Sequence, residues 1–96
     1  ETQFHRALRL DRRNVTALSG LAKLYFQRSD YPRAAQFGER AVRVAPRRAS
    51  LHLELGDAYA KALRYDDALA AYRKAQQRGS KAAAGRIAMV DAKLGK

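Results

Sequence analysis

Sliding the chain along itself by 34 residues lays Leu21 on Leu55, Tyr25 on Tyr59, Tyr31 on Tyr65 and Ala34 on Ala68, while Ala7, Ala41 and Ala75 form a series of three. Agreement at small and aromatic positions with a fixed period constrains the fold more than any single motif could. A unit recurring at this spacing is one supersecondary element that cannot bury its apolar face alone and must stack on its neighbours. Within each unit, two apolar patterns of helical period flank a short polar break. The periodicity predicts helices over 14–27, 31–44, 48–61, 65–78 and 82–94, with the first dozen residues as the last helix of a preceding, truncated unit.

Local chemistry agrees with these boundaries. Asn14 stands where an N-cap belongs, Pro32 suits a first helical turn, and Pro46 follows a helix end. Prolines number only 2 and glycines 6, strand-like alternation is absent, and alanine, leucine, arginine and lysine dominate, so helix is the default throughout. With no cysteine, disulfides and thiolate metal sites are excluded and the redox compartment stays open. No apolar run approaches the roughly 18 residues of a bilayer span. A soluble chain is therefore expected, with the cytoplasm favoured over the periplasm. Because it opens at Glu1, without a methionine and inside a helical pattern, we read it as a piece of something longer. The arginine and alanine bias suggests a bacterial coding sequence.

These residues resemble the tetratricopeptide repeat family. The unit 49–82 matches its signature best, with Leu55, Gly56 and Tyr59 on the first helix and Ala68, Tyr72 and Ala75 on the second. The unit 15–48 keeps Leu18, Leu21, Ala22, Tyr25, Ala34, Ala41 and Pro46, but has Gly38 where the family usually has an aromatic, and Phe37 beside it is expected to compensate. Phe4 and Ala7 look like the tail of a cut repeat over 1–13, and 83–96 looks like a closing helix or partial repeat. The resemblance implies an all-α fold, a right-handed superhelical solenoid of antiparallel helix hairpins. Small Gly56 and Ala22 would let each hairpin close against Ala68 and Ala34, with Tyr59 and Tyr72 filling the space beyond.

In the family the first helices of successive repeats line a concave groove. Its positions fall on Thr16, Ser19, Gly20, Lys23, Phe26 and Gln27, then on Ser50, Leu53, Glu54, Asp57, Ala60 and Lys61, and last on Ala84, Ile87, Ala88, Asp91 and Leu94. Apolar Phe26, Leu53, Ile87 and Leu94 among charges of both signs imply a site for a peptide or helix, with Phe26 and Leu53 as anchors. The bland alternative for Ile87 and Leu94 is burial by a continuation or by self-association. The family's carboxylate clamp is not reproduced. Its positions hold Ser19, Lys23, Glu54, Ala84 and Ala88, which argues against a chaperone-tail adaptor.

Lysine and arginine total 20 against 9 acidic residues, a net charge of +11. The excess also recurs: Arg6, Arg40 and Lys74 form one row, Arg13, Arg47 and Lys81 another, flanked by Arg9, Arg12, Arg43, Arg48 and Arg78. Two explanations stand side by side. Cations near helix C-termini complement the helix dipole; a basic edge also suits an anionic partner such as an acidic protein, anionic lipid headgroups or nucleic acid. Nucleic acid ranks lowest, because Tyr25, Tyr59 and Tyr72 fall on packing positions rather than among the cations.

Catalysis finds no support. His5, expected to be exposed, and His52, on a core-facing position, lie more than a repeat apart without further ligands, so neither a metal site, a triad nor a cofactor is implied. Asp66 and Asp67 open a helix, where carboxylates complement the dipole. The sequence reading is therefore a noncatalytic protein-recognition module within a larger bacterial scaffold, adaptor or assembly protein. Its alternative is an electrostatic docking module acting through the basic rows. Self-association through the end repeats is a third possibility.

Overall fold

The computed structural model describes residues 2–95, so Glu1 and Lys96, the outer limits of the expected domain, lie outside the described residues. Six helices follow one another: α1 (Gln3–Leu10), α2 (Val15–Gln27), α3 (Tyr31–Val44), α4 (Ala49–Lys61), α5 (Tyr65–Gln77) and α6 (Ala83–Lys93). The described residues include no strand. The five helices given bounds by the periodicity are present within about a residue of them, and the first dozen residues hold the shorter α1, Gln3–Leu10.

The capping chemistry explains the starts. Asn14 accepts from the Ala17 N–H at 3.0 Å, and Pro32 lies in the first turn of α3. Asp30 and Thr2 cap α3 and α1 by accepting from Arg33 and His5. Helices α4 and α5 lack side-chain caps, and α5 carries Asp66 and Asp67 in its first turn instead. Three helices end alike. The N–H groups of Asp30, Arg64 and Ser80 donate back to the carbonyls of Tyr25, Tyr59 and Ala75, across Ser29, Leu63 and Gly79 in the left-handed region. These are the bonds of a Schellman stop.

The main packing contacts run between consecutive helices, with α2 on α3 and α4 on α5 as hairpins, giving an elongated body of 44 × 26 × 16 Å. That geometry is an all-α helical-repeat solenoid. Two apolar clusters fill it. One gathers Leu8, Ala17, Leu18, Leu21, Ala41 and Leu51; the other is built on Leu55, Tyr59, Ala68, Leu69, Tyr72 and Val90 with smaller alanines. Tyr72, Leu18, Leu21 and Val90 are fully buried. No helix of the described residues is long and apolar enough to cross a membrane.

Two expectations are corrected. His5 is half-buried, edge-on to Tyr25 and Phe37 with ring centroids 6.5 Å away in both cases. Phe37 does not fill the place left by Gly38; its ring stacks on Tyr25 at 5.6 Å, beneath the Arg40 guanidinium. His52 is buried as expected, its Nε2 2.7 Å from the Pro46 carbonyl.

Candidate functional site

The face shared by α2, α4 and α6 carries two hollows that meet at Phe26. The first, about 160 Å³, is floored by Ala22, Ala34, Gly38, Ala41, Leu51, Leu55 and Ala58 and rimmed by Ser19, Lys23, Phe26, Gln27, Glu54 and Asp57. The second, about 470 Å³, is bounded by Phe26, Asp57, Ala60, Lys61, Leu63, Tyr65, Tyr72, Arg86, Met89, Val90 and Lys93. Phe26 itself is half-buried and packs edge-on against Tyr31 at 5.3 Å, so the wall between the hollows is held from behind.

The origin of the first hollow lies in one row of the repeat. Phe4, Gly38 and Tyr72 occupy equivalent positions on α1, α3 and α5. The Phe4 ring lies against Gly20, and the Tyr72 ring lies against Gly56. Between them the row has no ring, and the nearest neighbour of Gly38 is Leu55, whose Cδ1 would stand 3.0 Å from an added Cβ. Gly56 therefore makes room for the Tyr72 ring of the opposing helix. Where no ring follows, its equivalent is Ala22.

Ion pairs tie the face together. Lys23 Nζ stands 3.5 Å from Glu54 Oε1, joining α2 to α4. Arg86 Nη1 lies 2.7 Å from both oxygens of Asp57, joining α6 to α4, and the Tyr72 hydroxyl donates to Asp57 at 2.5 Å. Burial, reinforced by this hydrogen bond and by the Asp57 charge, pushes the Tyr72 phenol well above its ordinary value. Tyr59, whose hydroxyl donates to Glu39, is displaced the same way by burial first and then by that bond. Both phenols thus stay donors at neutral pH.

The expected groove residues divide. Ser19, Lys23, Phe26, Gln27, Glu54, Asp57 and Lys61 converge on the hollows. Thr16 and Ser50 are exposed and line neither, and Leu53 and Ile87 are half-buried against the second core cluster. Leu53 thus serves packing more than the open face. Asp91 is half-buried, with Oδ1 buried and without a hydrogen-bond partner. Sequence reasoning missed Arg86, Met89, Lys93 and Leu63, and it missed the floor formed by Leu51 and Leu55. The one available signal was the break at Gly38 in an otherwise aromatic row.

On the other side, Arg6, Arg9, Arg13, Arg43, Arg47, Lys74, Arg78 and Lys81 are exposed on α1, α3, α5 and the turns after them. Arg40 differs: it is half-buried, lies 5.6 Å above the Phe37 ring, and its Nη2 is 3.5 Å from the Arg12 carbonyl. Among the described residues no three His, Asp or Glu side chains gather as a metal site.

Two solved structures superimpose on this arrangement. The N-terminal domain of stress-induced protein-1 (STI-1) from C. elegans matches with a TM-score of 0.83 at 20% identity, over 92% of this chain and 76% of that one. YrrB, described as a TPR protein with an unusual peptide-binding site, also matches at 0.83 and 20% identity, over 97% of this chain and 49% of its own. No curated protein sequence matches significantly. The tetratricopeptide repeat family model matches residues 1–46 and again 39–83. With the helix pairs, the recurring Leu, small-residue and Tyr rows, and this sequence match in agreement, the chain belongs to the tetratricopeptide repeat family.

Proposed function

We propose that the face of α2, α4 and α6 binds a segment of a partner protein, a peptide or a helix, and that the repeats over 15–48 and 49–82 with their flanking helices form a noncatalytic recognition module of a larger bacterial scaffold, adaptor or assembly protein. Membership of the family implies an interaction module in general. The observation that carries the specific reading is the first hollow, whose apolar floor opens between Lys23, Phe26 and Glu54. A concave apolar site with a few convergent polar groups is the usual form of a recognition site. The structural likeness to YrrB, itself described as peptide-binding, supports a peptide as the occupant.

Selection of a random displayed peptide library on the chain tests this reading. Enriched peptides are expected to bind at high salt and to lose affinity for Phe26→Ala; because Phe26 also packs against the second core cluster and Tyr31, a cooperative thermal melt decides that the variant is folded. Peptides that ignore Phe26→Ala and dissociate with salt would move recognition to the outer basic rows, since exposed charges are screened within about 8 Å at physiological ionic strength.

A further inference from the structure

We propose that the hollow left by Gly38 is a socket for one phenylalanine side chain of the bound segment, and that an acidic side chain of the same segment meets Lys61 and Lys93. The inference rests on the groove reading above and names what the groove selects.

The protein supplies its own template. At the equivalent positions one repeat away on either side stands an aromatic ring: Phe4 lies over Gly20 of the following first helix, and Tyr72 over Gly56 of the preceding one. Only at Gly38 is the ring absent, and an apolar hollow of about 160 Å³ stands there, open to the α2–α4 face. An apolar cavity of roughly 150 Å³ is enough to hold a benzene ring. A phenyl group entering from the groove would restore the row from outside.

The floor sets the specificity. Ala34, Gly38, Ala41, Leu51, Leu55 and Ala58 offer no side-chain hydrogen-bond partner to the tip of an inserted ring. A tyrosine entering the same way would bury its hydroxyl unpaired, so phenylalanine is preferred. The rim sets the charge. Glu54 is neutralised by Lys23 and Asp57 by Arg86. Across Phe26, the second hollow is bounded by Lys61 and Lys93, and neither has an ion pair among the described residues. The unpaired charges that line the second hollow are therefore positive, as is the chain's net charge of +11, and Asp91, whose Oδ1 has no partner, does not line it. An acidic residue near the phenylalanine is its complement.

The test compares random displayed dodecapeptides selected on the wild type with those selected on Ala22→Gly/Gly38→Tyr, which transplants the Gly56–Tyr72 pair into the first repeat and fills the hollow from within. Gly38→Leu is a second filling variant, and a cooperative thermal melt decides that each is folded. The wild type is expected to enrich peptides with a phenylalanine near an Asp or Glu. Their affinity should fall by about tenfold or more on the filled variants, and by a similar factor when that phenylalanine becomes tyrosine. Lys61→Glu/Lys93→Glu should abolish the acidic preference alone. Groove-dependent peptides that lack phenylalanine, or that bind the filled variants equally well, overturn the socket while leaving the groove reading intact. Unchanged acidic preference in the charge-reversed variant overturns the assignment of Lys61 and Lys93. Failure to enrich any peptide sensitive to Phe26→Ala overturns the groove reading itself.

Discussion

A Cβ built on Gly56 would lie 2.5 Å from Tyr72 Cε1, so the tyrosine ring occupies the space that any other residue at this helical position would need. Gly56→Ala gains up to about 1 kcal/mol of helix propensity. Overpacking of a filled core costs roughly 1–3 kcal/mol, and Tyr72 is fully buried with little room to retreat. The net effect expected is destabilisation, larger for Gly56→Leu. In a Tyr72→Ala background the same Gly56→Ala change should become neutral or favourable. Urea unfolding of the four species in a double-mutant cycle measures the coupling; an additive cycle would mean the ring does not set the glycine requirement.

The same pair marks how far the sequence could be read. Helix number, bounds and hairpin pairing follow from a 34-residue recurrence, because apolar period and caps are local signals. Which side chain fills which gap is not local. Phe37 stands one residue from Gly38, and one residue on a helix is a turn of about 100°, so its ring reaches Tyr25 instead of the hollow. For the same reason Leu53 packs inward while Glu54 reaches the rim. The Asp57–Arg86 pair spans two helices of different hairpins, and no spacing rule within one helix connects them.

Alkaline pH should weaken the fold through the two buried phenols. Burial and the hydrogen bonds to Asp57 and Glu39 raise both Tyr72 and Tyr59 above their ordinary value of about 10. Below that pH both states keep these protons and their contribution is fully present. Above it the unfolded chain releases protons that the folded chain retains, so stability falls as pH rises toward the folded values. The melting temperature is expected to drop beyond about pH 10, and Tyr59→Phe/Tyr72→Phe to flatten that drop. An identical slope in the double variant would assign the alkaline loss to other groups.

Leu63 combines two unfavourable properties, a φ of 65° and 71% exposure. It stands at the left-handed position of a Schellman stop that Gly79 fills in the next turn along the chain. For a non-glycine residue that conformation costs roughly 1–2 kcal/mol. Leu63 also borders the second hollow. Leu63→Gly should therefore raise stability by about 1 kcal/mol while weakening groove-selected peptides. Thermal melts and peptide titrations on the same variant separate the two effects, and a loss of stability would contradict the strain assignment.

Asp57 and Asp91 are equivalent residues in different surroundings. Asp57 receives the Tyr72 hydroxyl and the Arg86 guanidinium, whereas Asp91 Oδ1 is buried without a partner. A second copy stacked in register on α6 would present its α1 and α2 where α5 and α6 stand over Asp57. The residues equivalent to Tyr72 and Arg86 would then be Phe4 and Leu18, and neither donates a hydrogen bond from its side chain. Oδ1 is already buried without a partner in the single chain, but stacking would bury the rest of the carboxylate opposite no donor, at a cost of about 1–3 kcal/mol, so end-to-end self-stacking in this register is disfavoured there. The chain is expected to sediment as a monomer across a wide concentration range. Phe4→Tyr/Leu18→Arg would supply both donors at the price of the core around Leu18, so the cleaner comparison is Asp91→Leu. That variant removes the unsatisfied group and should self-associate more readily than the wild type; a wild-type dimer that Asp91→Leu leaves unchanged would show that the ends join in another register.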